Sequence, residues 1–481
     1  MSASPLDYPA PYLLIDGEKL PAAGRETREV VNPASGQAIA DLPLASQADL
    51  DRALEAARRS AQTWRATSAS ERGGMLKQAA RLLLQRSADI ARVATIEEGK
   101  SIHETRIEVS VAASTLEWFA EEGRRAYGRV LQPAAPGNRA LVVKEPVGVV
   151  AAFAPWNFPI VNPARKLGAA LAAGCPCILK PAEEAPASAL AVAQALMDAG
   201  VPPGVMGIVF GHPARVSEHL LASEIVRKIS FTGSIPVGQR LMELAAKGMK
   251  RTTMELGGHA PVVIFNDADL ERTLDVTVAS KFRNAGQVCV APTRFIVQND
   301  IHDRFVKGFV ERTRAISVGD GLDERNRMGP LAHARRPEAI AQLVEDAKEK
   351  GAVLREGGER LDRPGLFWKP TVLTDVPLSA RLMNEEPFGP IATVTRFGTL
   401  EESIQEANRL PFGLAAYVFT QSLRTATVIG DSIEAGMIGI NTTTISVPES
   451  PFGGVKHSGH GSEMGIEGLE ACLTTKFINQ V

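Results

Sequence analysis

Gly148-Val149-Val150-Ala151-Ala152-Phe153-Ala154-Pro155-Trp156-Asn157-Phe158-Pro159 is a β-prone apolar run that stops at a proline and then presents a tryptophan, an asparagine and a second proline. A short apolar run bounded by turn residues reads as a buried strand. The pattern recurs: Cys177 to Lys180, Val205 to Phe210 and Val226 to Phe231 are apolar strands, separated by alanine-rich helical stretches at Ala164 to Ala173, Ala187 to Ala199 and Arg215 to Ala222. Strands spaced by helices of that length need right-handed crossovers, which lay them parallel in one sheet covered on both faces. The expected fold class is α/β, with a doubly wound domain at its centre. Such sheets bind ligands beyond the carboxyl ends of their strands. Here those ends carry Trp156-Asn157-Phe158-Pro159, Lys180-Pro181-Ala182-Glu183 and Phe231-Thr232-Gly233-Ser234.

Upstream, Leu13-Leu14-Ile15-Asp16-Gly17 reads as a strand and turn. Asp49 to Trp64, Met75 to Glu98 and Ile102 to Arg125 keep helical spacing, with Glu97-Glu98-Gly99 as a stop. Residues 128 to 146 hold two short β-prone runs around Pro133, Pro136 and Gly137, a hairpin expected to protrude as an arm. Downstream, a second βα-rich region starts at Pro261-Val262-Val263-Ile264-Phe265 and runs past Val455, with helices around Leu270 to Arg283, Asp303 to Arg314 and Pro337 to Lys350. The tail, Leu473 to Ile478, is β-prone and expected to pair with another subunit.

A chain of 481 residues exceeds one ordinary core, and at least two domains are expected. A formal charge of −2 with 22% charged residues provides no field for nucleic acid or an anionic membrane. Cys175, Cys177, Cys289 and Cys472 are too few for a disulfide framework, and Cys-Pro-Cys is not a CxxC motif. Met1 to Leu20 lacks a basic start followed by an apolar block, and no span reaches the length of a membrane helix, so a cytoplasmic location is expected. The fingerprints GxGxxG, GxSxG and HExxH are absent, and the eight histidines form no ligand-like cluster, so no metal is expected.

Cys289 sits in Phe282-Arg283-Asn284-Ala285-Gly286-Gln287-Val288-Cys289-Val290-Ala291-Pro292, a glycine-containing loop between more regular segments. A free thiol has a pKa of about 8.5 and works as a nucleophile only where its surroundings favour the anion; most single cysteines are instead small buried hydrophobes. Gly233-Ser234-Ile235-Pro236-Val237-Gly238 follows a strand and opens a helical pattern, which suits either a pyrophosphate on backbone amides or a plain turn. Lys180 and Glu183 suit either ribose hydroxyls or a solvated charge pair.

Pro155-Trp156-Asn157-Phe158-Pro159, Lys180-Pro181-Ala182-Glu183, Phe231-Thr232-Gly233-Ser234, Glu255-Leu256-Gly257-Gly258, Gly286-Gln287-Val288-Cys289, Glu385-Glu386-Pro387-Phe388-Gly389-Pro390 and Pro451-Phe452-Gly453-Gly454 together resemble, in order and spacing, the motif set of the aldehyde dehydrogenase superfamily. The resemblance covers nearly the whole chain. It implies a Rossmann-type cofactor domain (1–126 and 147–257), an α/β catalytic domain (258–465) and a small β oligomerisation arm (127–146 and 466–481), assembled as a homodimer or homotetramer. It implies that Cys289 attacks the aldehyde, that the Asn157 amide and the Cys289 N–H hold the oxyanion, and that Glu255 activates the water that resolves the thioester. Glu463 resembles a second glutamate assigned to proton relay, with an exposed surface glutamate as the alternative. Glu386 and Phe388 resemble contacts to the nicotinamide side of the cofactor, Gly233 and Ser234 contacts to its pyrophosphate, and Trp156 and Lys180 line it. Glu183 favours NAD by repelling a 2′-phosphate, with NADP still accepted.

Arg165 and Arg283 match arginines that hold the far carboxylate in succinate-semialdehyde dehydrogenases, with Ser446 adding a hydroxyl, although Ile445-Ser446-Val447-Pro448-Glu449-Ser450 departs from that pattern. A structural salt bridge or a solvated side chain is the alternative for each arginine. Lys281 to Cys289, Pro292-Thr293-Arg294-Phe295, Met254 to Pro261 and Gly453 to Glu470 are similar to bacterial 2-oxoglutarate-semialdehyde (2,5-dioxopentanoate) dehydrogenases. The expected substrate is a semialdehyde of four or five carbons ending in a carboxylate, succinate semialdehyde or 2-oxoglutarate semialdehyde. The competing expectations are a broad oxidiser of uncharged aldehydes and a non-catalytic protein on the same scaffold.

Overall fold

The computed structural model describes residues 8–133 and 135–481; the start of the Met1 to Leu20 segment lies outside the described residues. The apolar runs read from the sequence form the centre of an eight-stranded sheet. Its order is Glu18–Leu20, Leu13–Ile15, Met206–Ile208, Cys177–Lys180, Val149–Phe153, Val226–Gly233, Arg251–Leu256 and Gly459–His460. The five strands from Met206–Ile208 to Arg251–Leu256 are parallel, and antiparallel strands close both sides. Register places the site. Phe153 pairs with Lys180 and with Phe231, and Thr232 pairs with Glu255, so the carboxyl ends of four strands come level at one rim. Helix Val161–Ala173 is buried along its whole length against that sheet and helix Ile102–Glu122, which explains its alanine-rich sequence.

The second region forms a seven-stranded sheet ordered Val353–Glu356, Thr371–Thr374, Ile391–Phe397, Arg294–Gln298, Pro261–Ile264, Ala415–Phe419 and Met437–Ile440, all parallel except the first strand. Arg129–Leu131 and Arg139–Pro146 form the expected hairpin. The tail also pairs within its own chain, and as an edge strand it has one side without a strand partner among the described residues. Leu473–Gln480 pairs antiparallel with Arg139–Pro146 of its own chain, Leu473 opposite Pro146 through Gln480 opposite Arg139, because the two eight-residue strands satisfy each other's backbone along their full length. The helix read over Met75 to Glu98 is two helices, Ala69–Gln85 and Ser87–Glu98, broken at Arg86 (φ −97°, ψ 11°); the apolar spacing runs through the break and no glycine or proline marks it. Among the described residues no helix is long and apolar enough to cross a membrane.

Candidate active site

Between the rim of the eight-stranded sheet and the loop before Arg294–Gln298 lies a cavity of about 600 Å³. Cys289, Asn157, Glu255, Arg165, Arg283 and Ser446 line it, and so do Trp156, Gly233, Ser234, Glu386 and Phe388. Lys180, Glu183 and Glu463 do not.

Cys289 arrives on a strained loop. Helix Leu270–Phe282 ends, and Asn284, Ala285 and Gly286 follow at φ 47°, 50° and 70°, the left-handed region that asparagine and glycine tolerate and alanine does not. The conformation is held by neighbours: the Asn284 N–H donates to Glu104 Oε1 at 2.8 Å, and Gln287 Nε2 donates to the Asn284 carbonyl at 3.1 Å. Burial pushes the Cys289 thiol up to about 12, with Arg165 the largest opposing influence. Asn157 is 4% exposed, and its Nδ2 donates to the Gln287 carbonyl at 3.1 Å, which leaves the second N–H of that amide for another acceptor.

Glu255 is the penultimate residue of strand Arg251–Leu256, 2% exposed, and neither carboxylate oxygen has a hydrogen-bond partner among the described residues. Burial, reinforced by the charge of Glu463, raises its pKa well above the ordinary value. Glu463 itself is buried, which overturns the exposed alternative: it is ion-paired with Lys166 and accepts from Ser230 Oγ at 3.2 Å and Thr232 Oγ1 at 3.0 Å. Burial acts to raise its pKa, but Lys166 and Arg165 outweigh it and hold the group below the usual range.

Arg165 lies on helix Val161–Ala173, 7% exposed, with Nη2 donating to Ser446 Oγ at 2.8 Å and its guanidinium 4.3 Å over the Phe452 ring. Its Nε is buried without a partner, and no carboxylate pairs with it among the described residues. Arg283 is exposed at the cavity, 5.5 Å from the Phe158 ring, likewise without a carboxylate partner. The salt-bridge alternative therefore fails for both arginines; burial also rules out a solvated Arg165, while the exposed Arg283 still fits a solvated arginine.

On the other side of the cavity Trp156 makes edge contacts with Phe388 (5.6 Å) and His333 (5.2 Å). Phe388 has φ 40°, and Arg336 Nη2 steadies that turn by donating to the Pro387 and Phe388 carbonyls at 2.5 and 2.9 Å. Glu386 Oε1 accepts the Gly258 N–H at 3.2 Å, and desolvation pushes its carboxyl up to about 7. Ser234 caps helix Ile235–Ala246 in position only: no side-chain hydrogen bond closes that end, so its amides are available to a ligand. A Cβ on Gly233 would meet the Phe231 ring at 2.5 Å. Lys180 and Glu183, both buried, form an ion pair at 2.5 Å, with the Gly211 N–H donating to Glu183 at 3.4 Å, so the solvated-pair alternative fails. These features fit a dinucleotide: an open helix start for its pyrophosphate, a buried carboxylate–ammonium pair for a ribose, and an aromatic-walled end beside Cys289. Sequence reasoning missed His333 and Arg336, because a lone histidine before an Arg-Arg pair carries no motif.

Comparison with known proteins agrees with this arrangement. A model of the aldehyde dehydrogenase family matches residues 20–478. A 4-(hydroxymethyl)benzenesulfonate dehydrogenase of Comamonas testosteroni is 47% identical, covering 98% of this chain and 99% of that protein. An NADP(+) succinate-semialdehyde dehydrogenase of Escherichia coli is 43% identical, covering 97% and 96%. The crystal structure of Staphylococcus aureus betaine aldehyde dehydrogenase in complex with NAD+ matches with a TM-score of 0.95 and 34% identity, covering 98% of this chain and 95% of that one. The chain belongs to the aldehyde dehydrogenase family and takes NAD(P) as its cofactor.

Proposed function

We propose that this enzyme oxidises a small aldehyde with an anion at its far end, succinate semialdehyde or 2-oxoglutarate semialdehyde, to the dicarboxylic acid. The observation that carries the proposal is Arg165, a buried guanidinium without a carboxylate partner among the described residues, hydrogen-bonded to Ser446 in the same cavity as Cys289. A guanidinium offers a carboxylate two parallel N–H donors, and burial makes an unmatched substrate costly. Arg283 at the same cavity adds a second cation.

Bound NAD(P)+ supplies the hydride acceptor and, through its cationic ring, a charge that opposes protonation of the thiol. The residues of the chain do the rest. Cys289 Sγ attacks the aldehyde carbon to form a thiohemiacetal, and the new oxyanion is met by the free N–H of Asn157 Nδ2 and the Cys289 backbone N–H. Loss of hydride leaves a thioester on Cys289. Glu255, unpartnered and raised in pKa, is suited to take a proton from the water that hydrolyses it. Glu463, ion-paired with Lys166 and close enough for its charge to act on Glu255, would be the next group to receive that proton. Glu386, Phe388, Trp156 and Ser234 would hold the cofactor in the cavity, and Lys180 and Glu183 its adenosine ribose, with NAD preferred. The eight-stranded unit would thus hold the cofactor and the seven-stranded unit deliver the nucleophile. The three-stranded arm, with Val130 81% and Phe477 60% exposed, would mediate assembly into a homodimer or homotetramer.

Steady-state kinetics on succinate, 2-oxoglutarate and glutarate semialdehydes and on pentanal tests the reading. A strong preference for the anions supports it, and equal kcat/KM on pentanal refutes it. A second reading, an aromatic aldehyde bearing a sulfonate, is favoured by the Phe452 ring beneath Arg165, the Phe158 ring beside Arg283 and the relative named for a benzenesulfonate. Adding 4-formylbenzenesulfonate to the panel separates the two.

A further inference from the structure

Three segments remote in sequence meet behind Asn157 and Cys289. The turn between helices Ser87–Glu98 and Ile102–Glu122 carries Glu98 and Lys100, each 1% exposed. Lys100 Nζ pairs with Glu108 Oε2 at 2.5 Å and donates to the Asn157 backbone carbonyl at 2.8 Å. That carbonyl also accepts from Asn284 Nδ2 at 3.1 Å, and Asn284 Nδ2 reaches Glu98 Oε1 at 2.8 Å. Glu108 Oε1 accepts the N–H groups of Ile160 and Val161 at 2.9 and 3.1 Å, at the start of the helix that bears Arg165.

An apolar pair of similar volume would fill this space without desolvating an ammonium and a carboxylate. What the charged pair adds is direction. Its donors converge on one peptide carbonyl, whose plane sets how the Asn157 side chain leaves the backbone, and Asn284 ties the same carbonyl to the left-handed stretch five residues before Cys289. We propose that Lys100 and Asn284, anchored by Glu108 and Glu98, are positioning residues that hold the Asn157 amide in register with Cys289 Sγ as the oxyanion forms. The inference rests on the reading of Asn157 as the oxyanion donor.

A double-mutant cycle tests it. Lys100→Met removes the cation, and Asn284→Gly deletes the amide while tolerating φ 47°. Each is made alone and with Asn157→Ala, and kcat, aldehyde KM and the Kd for NAD+ are measured. Asn157→Ala should lower kcat about 100-fold, the size of one lost oxyanion donor. Lys100→Met and Asn284→Gly should each lower kcat by roughly 10- to 100-fold, as a misplacement near 1 Å does, with the Kd for NAD+ unchanged. In the Asn157→Ala background neither should lower kcat further. Equal fractional losses with and without Asn157 overturn the inference alone, as do single variants with full kcat. Full kcat in Asn157→Ala overturns the oxyanion reading and the inference with it. Should Lys100→Met fail to fold, the Asn284→Gly cycle decides in the same way.

Discussion

Replacing Arg165 by methionine removes the buried guanidinium and leaves a chain of similar length. Among the described residues Arg165 hydrogen-bonds only to Ser446 Oγ and stacks on Phe452, so the substitution breaks no ion pair, although the buried Glu463 and Glu255 lose a nearby positive charge. The loss falls on the substrate. A hydrogen bond to a charged group contributes about 1.5–3 kcal/mol, so loss of a carboxylate's guanidinium partner should cost about 3 kcal/mol, roughly a hundredfold in kcat/KM. Arg165 is also the largest influence opposing the burial of Cys289, so its removal raises the thiol pKa further and slows all aldehydes near neutral pH. The two effects separate in one set of assays. The ratio of kcat/KM for succinate semialdehyde over pentanal should fall about a hundredfold at every pH, and inactivation by iodoacetamide should shift to higher pH. An unchanged ratio refutes the distal-anion site; an unmoved alkylation profile refutes the electrostatic link to Cys289.

Glu183→Gln removes the carboxylate that would repel a 2′-phosphate and should raise the kcat/KM of NADP relative to NAD; a constant ratio contradicts the assignment of the ribose site. His333→Ala removes the edge contact on Trp156 and should raise the cofactor KM several-fold, the scale of an aromatic pair worth about 1 kcal/mol, with kcat little changed. Lys281 is fully buried, its Nζ has no partner among the described residues, and burial pushes its pKa down to about 7. A lysine depressed in the folded state contributes stability that is fully present above its unfolded pKa of about 10.4 and is lost as pH falls toward 7. Lys281→Met should therefore raise the Tm most near pH 6 and flatten its rise with pH, as differential scanning calorimetry would record; a lower Tm at pH 6 contradicts this.

The doubly wound sheet was legible because its strands are apolar on both faces and its helices are alanine-rich, as the wholly buried Val161–Ala173 illustrates. That Cys289, Asn157 and Glu255 line one cavity was legible because each sits in a short motif at a strand end or on the loop before Arg294–Gln298. Burial was not. For Lys180, Glu183 and Glu463 the one-dimensional chain left a surface charge open beside a role in the site, and only packing shows that each is desolvated and paired. Glu97-Glu98-Gly99 read as a helix stop, and Gly99 at φ 93° does end the helix, but Glu98 also faces inward to bond Asn284, a partner 186 residues away. The tail strand was legible as a strand but not its partner, since β-propensity names no mate.

Glu255→Gln mixed rapidly with NAD+ and succinate semialdehyde tests the covalent mechanism most directly, with reduced cofactor followed in time and the intact protein weighed by mass spectrometry. Without the base, hydride transfer proceeds and hydrolysis stalls. One equivalent of NADH per chain should appear in a single burst, with an added succinyl mass on Cys289. Sustained turnover at the wild-type rate, or a burst with no adduct on Cys289, would contradict it.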